Sequence, residues 1–150
     1  MSTSSTSASD RLSSAAECLE AIMSYHGDID RGRATHGISR FADDATFQAR
    51  GEMNIGRDAI LTFLRNREAN TKRHTLHLVA NPVTTFDGDD DLSISAVVVL
   101  HVMDDTGHYV LDNVLDTTHR FTRSDRGWLI VERTSSLLHP RAEPNTKEPS

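Results

Sequence analysis

The chain has 150 residues, with 16 Lys and Arg against 22 Asp and Glu, and its formal net charge is -6 at pH 7. This length suits one domain of ordinary size. Binding to a phosphate backbone rests on clustered cations, so the acidic balance argues against a nucleic-acid partner. The longest apolar run, residues 96–100, is too short to cross a bilayer. The Ser/Thr-rich N-terminus lacks an apolar signal segment, and we therefore expect a cytoplasmic protein with no membrane partner.

Both ends of the chain have the composition of tails. Residues 1–9 are low-complexity Ser/Thr, and residues 139–150 hold three of the four prolines among polar residues. We predict disordered tails there and one folded domain over residues 10–138. The single cysteine, Cys18, cannot form an internal disulfide, so stability must come from core packing or from a partner subunit.

The first half of the domain has helical spacing. Ser9 can cap a long amphipathic helix whose apolar residues recur every three or four positions, and Gly32 stands where that helix should stop. The pattern then predicts a short helix over residues 34–40, a strand over residues 46–50 and a third helix over residues 57–68.

The second half changes to a strand pattern. Residues 75–86, 92–103, 109–122 and 128–138 are rich in β-branched residues and are separated by turns that contain Asp and Gly. Helices followed by hairpin-linked strands predict an α+β fold with an antiparallel sheet. In residues 92–103 the even positions are all apolar and the odd positions are mixed. Helices can cover one face, and a second subunit could cover the other, so we predict a homodimer or higher homo-oligomer.

Several short segments follow one another in a distinctive order. They are Tyr25 with Asp30-Arg31-Gly32, Phe41-Ala42-Asp43-Asp44-Ala45, Gly56-Arg57-Asp58-Ala59-Ile60, His77-Leu78-Val79-Ala80-Asn81-Pro82-Val83, Asp116 with Arg120, and Gly127-Trp128 with Arg133. In this order the chain resembles the SnoaL-like branch of the nuclear transport factor 2-like superfamily, a group with polyketide cyclases and, in neighbouring branches, scytalone dehydratase and bile-acid dehydratases. The resemblance implies a cystatin-like α+β barrel, in which a curved antiparallel sheet is wrapped by three N-terminal helices around one pocket.

The resemblance also implies a set of site residues. In the dehydratases that this chain resembles, a helix-borne Tyr, an Asp five residues later and a His at the start of a strand face the pocket. Those positions are Tyr25, Asp30 and His77 in this sequence. Some relatives carry an acid on the next strand, where this chain has Leu100. His101 could replace that acid only through a one-residue register change, which would flip its face.

These residue types fit acid/base chemistry beside a carbonyl. Elimination of water there needs a base for the α-proton, a donor to the carbonyl and an acid for the leaving hydroxyl. His77, oriented by Asp30, can take and return the proton, while Tyr25 can donate to the carbonyl. Such a set requires neither a metal nor an organic cofactor, and we expect none. Each residue also has an ordinary structural explanation, as an interior histidine, a helix-end acid or a packed aromatic ring.

Ten further residues are predicted to contact the ligand. They are Phe41, Phe47, Met53, Phe63, Val97, Val99, His101, Leu111, Asn113 and His119. Asn113 and His119 enter this set because they share a strand face with Leu111. His74 and His77 are three residues apart, which on a strand sends them to opposite faces and argues against a metal site.

Two functions of different class fit the sequence. One is a cofactor-independent lyase or isomerase, dehydratase- or cyclase-like, acting on a small hydrophobic carbonyl compound such as a polyketide, steroid or aromatic intermediate. The other is a non-catalytic protein of the same fold that binds a ligand or takes part in an assembly. The joint presence of Tyr25, Asp30 and His77 favours the enzyme, because a pure binder has no reason to retain all three.

Overall fold

The computed structural model describes residues 7–49 and 51–139. Its helical elements are α1 (Ala8–Asp30), a 3₁₀ helix (Ala34–Arg40) and α2 (Arg57–Ala69). Its strands are β1 (Phe41–Ala49), β2 (Glu52–Ile55), β3 (Thr75–Phe86), β4 (Asp91–Met103), β5 (Tyr109–Ser124) and β6 (Gly127–Leu137). The predicted α+β class is confirmed, and most of the two predicted tails, residues 1–9 and 139–150, lies outside the described residues. No helix in the described part of the chain has the length and apolarity needed to cross a bilayer.

Helix α1 begins earlier than its sequence pattern predicted. Ser7, rather than Ser9, is the N-cap: the Ser7 hydroxyl accepts from the Asp10 N–H at 3.1 Å, and the Asp10 carboxylate accepts from the Ser7 N–H at 3.3 Å. This reciprocal capping box satisfies two amides that the helix itself leaves without partners. At the other end the helix stops at Asp30, and Gly32 follows with a φ of +76°, which glycine adopts at little cost.

The strands form one six-stranded sheet in the order β2-β1-β6-β5-β4-β3. Neighbouring strands run antiparallel except for β1 and β6, which are parallel. The register shifts between Ala80 and Val83 in β3, at Asp112 in β5 and at Val131 in β6. Because an extra residue bends its strand and increases the local twist, these shifts curve the sheet.

The helices cover one face of the sheet, which we call the inner face. Ile94, Phe121 and Ile130 of this face pack with Ile22 of α1 and Ile60 of α2 in one hydrophobic core. Burial of each such side chain contributes about 1.5–3 kcal/mol. The core therefore holds both helices against the same side of the sheet.

The opposite face, which we call the outer face, carries exposed apolar side chains on β3 and β5. Leu78 is 49% exposed and Val83 is 62% exposed, and Leu76 and Leu111 are exposed as well. The helices thus explain why the inner face of β4 is buried. The outer face of the sheet remains accessible to a partner.

The capping box gives a test of where α1 begins. Ser7→Ala should lower the free energy of unfolding by about 1 kcal/mol, because it removes the acceptor of the Asp10 amide. Urea unfolding followed by circular dichroism measures this loss. Ser9→Ala is the matched control and should change the unfolding free energy by less than about 0.5 kcal/mol. A larger loss from Ser9→Ala than from Ser7→Ala would contradict the assignment of the cap.

Candidate active site

A cavity of about 530 Å³ opens between α1, α2 and the inner face of the sheet. Its apolar wall includes Ile29, Phe47, Phe63, Leu100 and Leu115. Polar side chains from both helices and from several strands interrupt this wall. A cavity of this size and lining suits a small, largely apolar molecule that a few polar groups orient.

Asp30, the last residue of α1, is hydrogen-bonded to His77 near the start of β3. His77 Nδ1 lies 2.6 Å from Asp30 Oδ1, and the His77 main-chain N–H donates to Oδ2 at 2.8 Å. Thr75 Oγ1 also donates to Oδ1, at 2.9 Å. A carboxylate that receives three donors acts only as an acceptor, so Nδ1 carries the ring hydrogen. In the neutral ring, Nε2 of His77 is then the nitrogen without hydrogen, on the side of the ring away from Asp30.

Arg67, in the last turn of α2, extends this network. Its Nη2 donates to Thr75 Oγ1 and to the Arg73 carbonyl, both at 3.1 Å. Thr75 and His77 are two residues apart on β3, so their side chains share the inner face. Arg67 therefore positions the Thr75 hydroxyl, which in turn donates to Asp30.

Tyr25 lines the same cavity. The residue is only 2% exposed, and its ring meets those of Phe41 and Phe47 at centroid distances of 5.9 and 6.2 Å. A Cβ at Gly37 would lie 2.9 Å from Tyr25 Cδ2, so glycine is required where the 3₁₀ helix passes the ring. Burial raises the pKa of Tyr25 to about 12. The hydroxyl thus stays protonated at neutral pH and can donate a hydrogen bond.

Arg133 of β6 places a buried guanidinium in the cavity wall. The residue is 6% exposed; its Nη1 donates to the Gln48 carbonyl at 3.0 Å, and its guanidinium lies 4.6 Å from the centre of the Phe47 ring. Among the described residues, no carboxylate forms an ion pair with Arg133 and no acceptor meets its Nε. Burial lowers the pKa of Arg133, but a guanidinium remains charged in proteins.

Two buried histidines lie close to this charge. His26 lines the cavity and stacks on His77 at 4.7 Å between ring centroids. Burial, and then repulsion from His77, Arg133 and His119 in their charged forms, hold the pKa of His26 well below its usual value. For His119 on β5, burial followed by the charge of Arg133 lowers the pKa from 6.5 to about 3. Both rings are therefore neutral near pH 7.

The comparisons with known proteins identify the family and the fold. The family described as SnoaL-like domain matches residues 10–134 of the chain. The chain belongs to the SnoaL-like domain family. No curated protein matches the sequence with significance.

Solved structures similar to this SnoaL-like domain share its fold at low sequence identity. An NTF2-like protein with a cystatin-like fold from Novosphingobium aromaticivorans is 23% identical, with a TM-score of 0.77 over 87% of this chain and 86% of that one. A candidate aromatic ring hydroxylase from the same organism is 22% identical, with a TM-score of 0.74 over 86% and 92%. The hub homology domain of a Chlamydomonas reinhardtii CaMKII is 21% identical, with a TM-score of 0.68 over 83% and 98%. The family and the NTF2-like fold expected from the sequence are thus confirmed.

The SnoaL-like domain brings only part of the predicted site together. Asp30 lies behind His77 and bonds to it. Predicted residues in the cavity wall are Tyr25, Phe47, Phe63, His77 and Asn113. Predicted residues that do not line the cavity are Phe41, Met53, Val97, Val99, His101, Leu111 and His119.

The strand register explains four of these differences. Val97, Val99 and His101 occupy the odd positions of β4, which alternate with the buried inner-face residues and so point to the outer face. Leu111 was expected beside Asn113, but the extra residue Asp112 lies between them in β5. Leu111 is therefore paired with His101 and faces outward.

The other three predicted residues that do not line the cavity differ from one another in their burial. Met53 lies on the short edge strand β2 and is exposed to solvent. Phe41 and His119 are each 1% exposed, and neither lines the cavity. Leu100, at the position where some relatives carry an acid, pairs with His77 across the strands and lines the cavity. The register shift beside Leu100 does not bring His101 into the site.

The sequence patterns did not predict the charged and buried polar groups of the wall. Arg67 follows Phe63 and Leu64 at helical spacing, so a cation on the apolar face of α2 was a readable signal. His26 carried a weaker signal, since it stands next to Tyr25 and three residues before Ile29 on α1. No sequence signal beyond its place in the family pattern pointed to Arg133. The register shift at Val131 decides which face of the sheet this residue occupies.

The buried histidines predict how stability depends on pH. Because the folded pKa of His119 lies below its ordinary value of 6.5, the unfolded chain binds a proton that the folded chain does not. Stability is thus complete above pH 6.5 and is lost as the pH falls toward 3. Protonation of His119 should therefore lower the unfolding free energy by about 1.4 kcal/mol per pH unit inside that window.

Urea unfolding of the wild type and of His119→Leu at pH 7, 6 and 5 measures this dependence. The variant should show a slope of unfolding free energy against pH that is smaller by about 1.4 kcal/mol per unit between pH 6 and 5. His36→Asn, at an exposed histidine, is the control. Equal slopes for wild type and His119→Leu would show that the buried ring does not resist protonation.

Proposed function

We propose that this SnoaL-like domain is a lyase or isomerase that uses its own side chains for acid/base chemistry on a hydrophobic carbonyl compound. The observation that carries the proposal is the 2.6 Å contact between His77 Nδ1 and Asp30 in the wall of a cavity that Tyr25 also lines. A polyketide, steroid or aromatic intermediate fits the apolar wall. The chemistry would be dehydration, isomerisation or cyclisation.

His77 is the proposed base and acid. Its Nε2 removes the proton from the carbon beside the carbonyl, and the electron pair moves onto the carbonyl oxygen as an enolate. Asp30 stabilises the resulting imidazolium through Nδ1–H and keeps the ring oriented. In a dehydration, the enolate collapses, the β-hydroxyl leaves, and His77 gives its proton to that hydroxyl. In an isomerisation, the same proton returns to a different carbon.

Tyr25 and Arg133 are the proposed stabilisers of the enolate oxygen. Tyr25 keeps its proton because burial raises its pKa to about 12, so it remains a donor while charge develops. Arg133 is a buried cation without a carboxylate partner among the described residues. A donor and a charge fixed in a site shielded from water stabilise a transition state more than they would in solution.

A non-catalytic binding or assembly role is the alternative function. The observation that favours it is the exposed outer face, together with the likeness in fold to a hub homology domain. That likeness concerns the fold alone, since the two chains are 21% identical. The outer face alone would serve an assembly subunit, whereas a cavity with a histidine and aspartate paired in its wall favours the enzyme.

Conservative substitutions in the cavity test the enzyme proposal. His77→Ala and Asp30→Asn should each lower turnover about a hundred- to ten-thousand-fold, and the double variant should lose little more than either single variant. Tyr25→Phe should lower turnover about ten- to a thousand-fold, because it deletes only the carbonyl donor. The assay follows dehydration of a β-hydroxy carbonyl ligand identified by mass spectrometry of the purified protein.

Matched controls lie outside the cavity on the same chain. His74→Ala changes an exposed histidine three residues before His77, and Tyr109→Phe changes the other tyrosine of the chain. Both should turn over substrate at the wild-type rate. If folded His77→Ala and Asp30→Asn also reach that rate, the binding function replaces the enzymatic one.

We also propose that the outer face pairs two copies of the chain. Light scattering at micromolar concentration should give about twice 16.6 kDa for the wild type. Leu78→Glu introduces a charge into the exposed apolar face and should shift the protein to the monomer. Leu12→Glu, at an exposed leucine of α1, should leave the mass unchanged. A monomeric wild type would contradict the pairing.

A further inference from the structure

The ionisable side chains that line the cavity include cations but no carboxylate. Within the described part of the chain, the wall contains Arg67, Arg73 and Arg133, together with Tyr25, His26 and His77, and neither Asp nor Glu. The whole protein carries a net charge of -6. The nearest carboxylate, Asp30, lies behind His77 and accepts from three donors. The permanently charged groups that line the cavity are therefore guanidiniums, and clefts lined by one sign of charge concentrate ligands of the other.

Arg133 is the most buried of these three arginines. A charge taken out of water needs a partner, because the protein interior replaces little of the lost hydration. Arg133 is 6% exposed, and its Nε meets no acceptor among residues 7–49 and 51–139. A negative charge in the cavity would offset part of this cost.

Arg73 provides a second cation at the mouth of the cavity. It lies in the connection between α2 and β3 and is half-buried, and no carboxylate in the described ranges forms an ion pair with it. The neighbouring Asn66 and Asn70 also line the cavity and are exposed, as are Gly51, Ser136 and Leu137, so the cavity is open on the side of this connection as well. The bond from Arg67 to the Arg73 carbonyl fixes the connection in place.

A guanidinium beside amide donors matches a carboxylate. The two oxygens of a carboxylate accept two parallel N–H bonds from arginine, and side-chain amides can donate to the remaining lone pairs. Arg73 lies at the opening, whereas Tyr25 and Arg133 are buried. A ligand that spans the cavity would therefore hold its permanent charge at the opening and its carbonyl at the deep end.

We propose that the ligand of this cavity is an amphipathic carboxylate, with its anionic group on Arg73 and its apolar body against Phe47 and Phe63. The inference rests on the proposed function for the carbonyl at the deep end and adds a substrate class to it, a hydrophobic carbonyl acid. Arg73 acts in binding and takes no part in the proton transfer.

A pair of isosteric probes tests the charge directly. 2-Naphthoate and 2-naphthamide have the same ring system and nearly the same shape, but only the first is anionic. Isothermal titration calorimetry with the full chain should give at least about tenfold tighter binding for the naphthoate, the size expected of one charge-assisted hydrogen bond. Raising the salt concentration should weaken the naphthoate more than the naphthamide.

Variants locate the charge. Arg73→Gln should weaken naphthoate binding about tenfold and leave naphthamide binding unchanged. Arg120→Gln is the matched control, because Arg120 is exposed on β5 and pairs with Glu132 rather than lining the cavity. His77→Ala should keep the preference for the anion, since that preference does not depend on proton transfer.

Three results would overturn the proposal. They are equal affinity of the wild type for the two probes, no measurable binding of the naphthoate, and full retention of the preference in Arg73→Gln. None of them depends on turnover. If they occur while His77→Ala still abolishes activity, the carboxylate inference fails and the proposed acid/base function stands. If His77→Ala instead turns over substrate at the wild-type rate and the preference for the anion is intact, the acid/base function fails and the carboxylate inference stands.

Discussion

Asp30 joins the end of α1 to the start of β3 through the Thr75 hydroxyl, the His77 amide and the His77 ring. This junction depends on two local signals, the end of the helix before Gly32 and the inward alternation of β3. It places one carboxylate where a helix meets a strand, and it orients His77 before any ligand arrives. The cavity wall, the ring tautomer and the contact with Arg67 all follow from that position.

The buried positive charge of the site lowers the stability of the fold. Arg133 has a carbonyl and an aromatic face as neighbours but no carboxylate among the described residues. His26 and His119 cannot relieve this charge, and their own protonation is suppressed beside it. Buried polar groups without partners reduce stability. These groups therefore lower the stability of the domain, and the proposed ligand would supply acceptors and negative charge that they lack.

Local patterns were enough to predict most of the fold and the core of the site. The bounds of β3 were predicted to the residue because turns and β-branched residues delimit it, and the spacing of Tyr25 and Asp30 on a helix fixed their relation. What local patterns cannot show is a register shift. Asp112 turns Leu111 away from the cavity, and such an insertion depends on the partner strand rather than on the sequence around it.

The parallel pairing of β1 with β6 affects how the protein folds during its synthesis. The site joins Phe47 to Arg133, and the bond from Arg133 to the carbonyl of Gln48 spans 85 positions along the chain. Contacts so distant in sequence form late, because the closure entropy of a long loop comes before any gain. On the ribosome, α1 and β1 emerge first but must wait for β6. A nascent chain would thus expose the aromatic side of its cavity until β6 has left the ribosome.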